Sequence, residues 1–286
     1  MTIILEFIRY IVLGIVQGIF EVLPISSSAQ VAFLQEMFKL EVDTSGLFSI
    51  ILNFGSMVTL IYFFRKEIKI LIVDSFKYLF QKNREDSVKE NFNYVFKLVI
   101  GIIPLVIFGY FLNLLIMPNY EKNPFIFMGV GALMTATILY LVRNITNYHV
   151  QTKLTNADAF VIGLIQVITI MPGLSRLGTT TAVGLKRKLS MDSALKFSFL
   201  MVIPISLGAV FQQFLLYEFN PELITQGFDS ANYLSYLYYF AAFTASVVFT
   251  YIGLKWVFIL FRRGNLTPFY IYNFIFGIVA IIIGIK

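Results

Sequence analysis

The chain contains no cysteine, one histidine and one tryptophan in 286 residues. Without cysteine there is no disulfide, no thiolate nucleophile and no thiolate metal site. The single histidine, His149, excludes the membrane phosphatases that work with paired histidines. It stands in the polar stretch 146–156 and reads as a solvated loop residue rather than a general acid. Charge is scarce as well. Asp, Glu, Lys and Arg make up 13% of the chain, against roughly 25% in soluble domains. No stretch is both long and polar enough for a separate soluble domain. One tryptophan leaves the interfacial aromatic belts to the 16 tyrosines. The N-terminus shows neither a basic n-region nor a small-residue cleavage site, so no removable signal peptide is expected.

What is present is apolar: 58% of the residues are hydrophobic. Runs of about 20 apolar residues cross a bilayer as helices. Six such runs are predicted as spans: 47–64, 94–113, 124–142, 197–217, 233–261 and 267–285. Two further stretches, 3–38 and 158–189, are broken near their middles by Pro24 and Pro172, each among Ser, Gly and Thr. Each reads as two half-helices joined at membrane depth, a re-entrant hairpin. Non-helical backbone at that depth requires protein or a wet cavity around it. The predicted fold class is an all-α polytopic membrane protein with one integral-membrane domain over residues 1–286.

Basic residues give the expected orientation. Stretch 65–97 holds eight Lys or Arg, and Arg143, Lys153, the Lys186-Arg187-Lys188 cluster, Lys196, Arg262 and Arg263 add to that side. Stretch 218–232 has none, and 114–123 has only Lys122. The positive-inside rule places the first set in the cytoplasm and the last two stretches outside. The net charge of +6 is thus a matter of loops, not of nucleic-acid binding. The alternation closes only if each hairpin leaves by the face it entered, the first from outside and the second from inside.

The halves also repeat. Gly14-x-x-Gln17 recurs as Gly163-x-x-Gln166, and Phe48-Ser49 as Phe197-Ser198, both at a shift of 149. Pro24 recurs as Pro172 with a slip of one, and Pro124-Phe125 more loosely as Pro268-Phe269. One hairpin plus three crossings per copy forces the second copy, 157–286, to be inverted relative to the first, 1–145. Inverted repeats place their site near the midplane, where broken helices meet.

The two breaks carry the chemistry. The first reads Gln17-Gly18-Ile19-Phe20-Glu21-Val22-Leu23-Pro24-Ile25-Ser26-Ser27-Ser28, and the second Gln166-Val167-Ile168-Thr169-Ile170-Met171-Pro172-Gly173-Leu174-Ser175-Arg176-Leu177-Gly178, with Thr179 following. Ionisable groups at membrane depth usually mark a substrate path. Arg176 presents a planar fork suited to phosphate oxygens. Ser175, Thr179 and the N–H groups opening the next half-helix add donors for an anion. The competing reading is a basic flank snorkelling to the interface. Glu21 can ligate Mg2+ or Ca2+, act as a base, or pair with Arg176. Gln17 lies one turn earlier on the same face and offers a carbonyl oxygen. Ser26, Ser27 and Ser28 can cap a half-helix, donate to phosphate or supply a nucleophile. Asn53 is a candidate polar wall residue or an interhelical bond.

With these residues in view, the chain resembles the undecaprenyl-diphosphate phosphatase (bacitracin-resistance) family. The family's (Glu/Gln)-x-x-x-Glu and Pro-x-Ser-Ser motif is similar to Gln17 through Glu21 and Pro24 through Ser27. Its Pro-Gly-x-Ser-Arg-Ser-Gly motif is similar to Pro172 through Gly178, and the likeness runs on through Phe197-Ser198-Phe199, Pro204, Pro268-Phe269 and Tyr272. The resemblance implies interlocked inverted repeats with two re-entrant hairpins. It implies removal of the terminal phosphate of a long-chain isoprenyl diphosphate, which recycles the lipid carrier for cell-wall assembly, at an active site toward the outer face of the plasma membrane. It further implies a divalent ion (Mg2+ or Ca2+) or the diphosphate at Glu21 and Gln17, Ser27 as nucleophile or phosphate ligand, and Ser175 with Arg176 holding phosphate. A second copy of the chain is a candidate partner. Three departures stand out: Ser28 replaces the family's threonine, Gln30 replaces its histidine, removing a proton-exchanging group, and Leu177 replaces the last serine of the second motif. The competing function is a transporter or flippase moving an isoprenyl phosphate or another anionic lipid without hydrolysis, which Gln30 and the repeat architecture would suit. An ion channel fits less well, because each motif occurs once rather than as a ring.

Overall fold

In the computed structural model, the described residues are 2–38, 40, 46–82, 84–145, 153–219, 233–262 and 264–285. His149 and most of the loop 218–232 lie outside them. Among the described residues every regular element is helical. The order is α1 (Thr2–Glu21), α2 (Ser27–Phe38), α3 (Leu47–Phe63), α4 (Arg65–Phe80), α5 (Asp86–Tyr120), α6 (Pro124–Val142), α7 (Asn156–Gln166) with a 3-10 turn (Val167–Ile170), α8 (Arg176–Lys186), α9 (Met191–Phe219), α10 (Tyr233–Arg262) and α11 (Thr267–Ile285). Among the described residues, six helices are long and apolar enough to cross a membrane: α1, α5, α6, α9, α10 and α11. Phe211, Phe214, Phe240 and Trp256 stand more than half exposed on these helices. In water such a surface would aggregate; around a bilayer-spanning bundle it faces lipid. The protein is an integral membrane protein.

Several elements differ from the sequence reading. The first arm of the first hairpin is no half-helix: α1 has 20 residues, which at 1.5 Å each gives about 30 Å, a full crossing. The basic stretch 65–97 is not a loop but α4 and the start of α5, because its apolar residues recur at helical spacing among the charges. The span read as 94–113 belongs to a helix of 35 residues that also absorbs most of 114–123. α3 has 17 residues and reaches crossing length only together with α4, from which it is bent by 72°.

The packing exchanges helices between the halves. α1 lies along α10, while α7 lies along α5, and α6 lies along α11. The repeat-equivalent glycines sit at the first two crossings. A Cβ on Gly14 would come within 2.2 Å of the Ala242 carbonyl oxygen, and one on Gly163 within 2.1 Å of that of Gly101. Small residues let backbones meet where apolar lipid gives helices no hydrophobic reason to associate. The equivalent Phe48 and Phe197, near the starts of α3 and α9, are both fully buried. A polar seam fixes α3 to α10: Ser56 and Ser246 are 3.0 Å apart, Thr250 donates to Ser56 at 3.0 Å, and Ser246 donates to the Leu52 carbonyl at 2.9 Å.

Each hairpin returns toward its own origin. Arg187, just past α8, is bonded through Nε to Asp158 in the first turn of α7 at 2.7 Å. The two ends of the second hairpin are therefore side by side. Asp158 also completes a capping box with Thr155, which sets where α7 begins. In the first hairpin, Arg9 lies 5.8 Å from the Phe38 ring, so α2 ends level with Arg9 and α1 extends about two turns further.

Candidate active site

Proline favours both breaks in the same way: it lacks an N–H and so removes a helical hydrogen bond, here beside Ser and Gly that suit a turn. The first turn, residues 22–26, is held from outside by α11, where Asn273 Nδ2 donates to the Pro24 carbonyl at 3.0 Å. The second turn is held by α6. Ser175 N donates to Thr135 Oγ1 at 2.9 Å, and Thr135 Oγ1 in turn donates to the Gly131 carbonyl at 3.0 Å. Gly173 has φ +89°, and a Cβ there would meet the Met128 carbonyl at 2.1 Å. Only glycine fits both that conformation and that approach. Each turn is thus clamped by a helix of the other half, and the exposed carbonyls and N–H groups of the breaks find partners there.

The two turns open onto one cavity of about 410 Å3. Glu21, Ser26, Ser27 and Ser28 line it from the first turn, Ser175 and Arg176 from the second, and Asn53 from α3. Glu21 and Arg176, 155 residues apart in sequence, share this space, and their charges interact across it. They do not form a direct ion pair within 4.0 Å.

Glu21 is bonded on one oxygen only. Ser27 Oγ donates to Oε2 at 2.5 Å, and Gln17 Nε2 donates to the same atom at 2.9 Å. Gln17 Nε2 also donates to Asn53 Oδ1 at 2.7 Å, so three helices fix the carboxylate. Oε1 keeps its lone pairs for a ligand. A serine hydroxyl donating to a carboxylate is the geometry of a nucleophile beside its base. Ser175 caps α8: its Oγ accepts from Gly178 N at 3.1 Å. Its hydroxyl hydrogen is left to donate. Arg176 opens α8 with its Nε buried and unpartnered. α2 and α8 both start at the cavity, so two helix N-termini and one guanidinium favour an anion there.

Three expected site residues do not line the cavity. Gln17 is buried behind Glu21 and acts on it, not on a ligand directly. Thr179 is buried one turn into α8 with its hydroxyl unpartnered. Gln30 sits away from the cavity, its Oε1 taking a 2.7 Å bond from the Tyr272 hydroxyl of α11. Conversely, the sequence reading passed over Thr135, Asn273, Thr169, Ser206, Gln212 and Gln213. The last four line the cavity. Each is a polar residue inside an apolar run, the signal that had picked out Asn53.

A divalent ion fits this donor set in one way. Among the described residues no three acidic, histidine or cysteine side chains cluster. Mg2+ commonly binds through one or two carboxylates plus substrate phosphates. The free Oε1 of Glu21 beside a phosphate-sized polar space meets that requirement.

Comparison with known proteins is consistent across the chain. The family model described as bacitracin resistance protein BacA matches residues 10–279. A protein of Oceanobacillus iheyensis named undecaprenyl-diphosphatase is 32% identical over 276 residues, 96% of each chain. One of Acholeplasma laidlawii with the same name is 33% identical over 290 residues, 98% of each chain. Undecaprenyl-diphosphatase 1 of Bacillus licheniformis is 32% identical over 278 residues, covering 97% of this chain and 98% of that one.

Proposed function

The chain belongs to the bacitracin resistance protein BacA family, and from that premise we propose that it is an integral-membrane phosphatase that removes the terminal phosphate of a polyprenyl diphosphate. The observation that carries this reading is the Ser27–Glu21 hydrogen bond inside a cavity whose opposite wall is Arg176. The relatives' name denotes hydrolysis, which favours this reading over transport without hydrolysis.

The terminal phosphate enters with its oxygens toward Arg176, the Ser175 hydroxyl and the first-turn N–H groups of α2 and α8. Arg176 binds two of those oxygens as a fork and fixes the phosphorus near Ser27. Glu21 takes the Ser27 proton as Oγ bonds to phosphorus and the bridging P–O bond breaks. The leaving group is the polyprenyl monophosphate. Water then attacks the phosphoserine, Glu21 returns its proton to the leaving Ser27 Oγ, and the water's hydrogens depart on the inorganic phosphate as dihydrogen phosphate. Charge gathers on the equatorial oxygens in each step, where Arg176 and the helix N-termini already point. Gln17 and Asn53 keep Glu21 aimed at Ser27. A divalent ion held by Glu21 Oε1 and the substrate would neutralise phosphate charge. Gln30, bonded to Tyr272 outside the cavity, takes no proton; it anchors α2 against α11.

The surroundings we infer follow from the same reading. The carrier lipid is of undecaprenyl or dolichyl type, the membrane is the plasma membrane, and the site opens toward its outer face. Residues 1–145 and 157–286 form the inverted repeats that supply one hairpin each. The exchange of helices between the halves supports this. The test is release of phosphate from a C55 diphosphate by purified protein, with and without a chelator, beside Arg176→Ala. Metal-dependent release by the wild type and its loss in the variant are expected. Lipid binding without release in either would return the transporter in its place.

A further inference from the structure

A second cavity, of about 910 Å3, shares no lining residue with the first. Its walls are α4, the first turns of α5, residues 153–154 and the first turns of α9. All of these belong to the stretches whose Lys and Arg mark the cytoplasmic side by charge. Lys89, Lys97, Lys153 and Lys196 line it, against Glu67, Asp86 and Glu90. Lys153 is committed to Glu90 by a salt bridge. The other three lysines have no ion-pair partner among the described residues. Lys97 is half-buried on the same face of α5 as Tyr94 and Asn93, and the acid its charge reaches, Glu90, is already held by Lys153. With Lys153 and Glu90 paired, three lysines face Glu67 and Asp86, and the lining keeps an excess of positive charge that favours an anion.

The wall formed by α4 says where such an anion lies. α4 turns 72° away from α3 and buries none of its residues. It leaves Ile72, Val73, Phe76, Leu79 and Phe80 exposed while carrying Arg65, Lys66, Lys69 and Lys77. A basic helix with an apolar row, lying across the span direction, belongs at the boundary between headgroups and acyl chains. It is also firmly fixed. Tyr78 stacks on Phe92 at 4.3 Å, and Asn91 Nδ2 donates to Asp74 at 2.7 Å. The cavity therefore has rigid walls at headgroup depth, unpaired lysines within, and an apolar row along its edge.

We propose that this cavity seats the headgroup of an anionic phospholipid of the cytoplasmic leaflet. Its phosphate lies between Lys97 and Lys196, and its acyl chains run along the exposed row of α4. The volume argues for a headgroup over a free phosphate ion, which would fill a small part of it and make no use of that row. No chemistry takes place there. The lipid fastens α4 and α5 to the start of α9, a helix that also walls the catalytic cavity.

The test uses the full-length protein with phosphatidylglycerol or phosphatidylcholine, retained lipid being counted by native mass spectrometry. Wild type retains phosphatidylglycerol in preference. Lys97→Gln/Lys196→Gln lowers that preference by about 10- to 30-fold, the effect of two surface lysines on an anionic lipid. Lys97→Arg/Lys196→Arg keeps it, and so does Lys66→Gln/Lys69→Gln, whose residues are outside the cavity. Phosphate release in detergent stays within about twofold for all three variants, which shows that they fold. Equal loss of preference in the two Gln pairs would mean diffuse charge and overturn the proposal. So would no loss in Lys97→Gln/Lys196→Gln. Inorganic phosphate that stabilises the wild type as much as phosphatidylglycerol does would assign the cavity to the free ion and overturn it equally.

Discussion

The two hairpins share a plan and differ in how completely their polar groups are paired. In the first, Gln17 is bonded to Glu21 and Asn53, and Ser27 to Glu21. In the second, the equivalent Gln166 is fully buried with both amide atoms unpartnered, and Arg176 Nε and Thr179 Oγ1 are unpartnered too. The residue 149 positions after Glu21 is Ile170. One hairpin thus holds a preset acid–serine pair, and the other holds donors still to be satisfied. The Gly-x-x-Gln and proline-break pattern occurs in both hairpins, while single positions give one the carboxylate and the other the guanidinium. A buried unpaired polar group costs stability, so the second hairpin is the strained one and gains most from an anion.

That contrast can be broken at four places. The largest effect is expected for Glu21→Gln, which removes the base but keeps size: a loss of roughly 10²- to 10⁴-fold in the phosphate-release rate, with the melting temperature little changed. Release at near-normal rate would remove Glu21 from the proton transfer. Arg176→Lys keeps the charge and loses the fork, and a loss of about 10²-fold in turnover is expected; activity within a few-fold would leave Arg176 a structural cation. Gln17→Leu frees Glu21 without touching the cavity wall. A drop of about tenfold is expected in kcat with KM nearly unchanged, and a change confined to KM would contradict a positioning role. The smallest effect is opposite in sign. Gln166→Leu replaces an unpaired buried amide by an apolar group of similar size, so stability should rise by about 1 kcal/mol, read as a higher Tm. A lower Tm would show that the amide has a partner and that the hairpins do not differ as described.

Much of this was written in the sequence because the membrane makes each exception visible. Pro24 and Pro172 interrupt apolar runs, and α6 and α11 have the boundaries their hydropathy gives. Glu21 and Arg176 were legible because charge at that depth demands a reason. α4 was not, since its charges read as a loop; only its packing on α5 shows the amphipathic helix. The full length of α1 is not legible because the break at Pro24 makes stretch 3–38 read as two halves. The family resemblance sets Gln30 where a histidine is usual, but its side chain turns to Tyr272, 242 residues away. The clamps Thr135 and Asn273 were hidden for the same reason: what they hold lies 40 and 249 positions off.

The inverted arrangement of the two copies has its own check. Reporters fused after Gln81 and after Pro221 should read from opposite sides of the membrane, and the same side for both would remove the inversion.

The most direct measurement is a double-mutant cycle on phosphate release with Glu21→Gln, Arg176→Lys and the pair together. If the two hairpins build one catalytic unit, the double variant should lose little more than the worse single variant, because each loss disables the same step. Losses that multiply as if the residues were independent would contradict a single site shared by both hairpins.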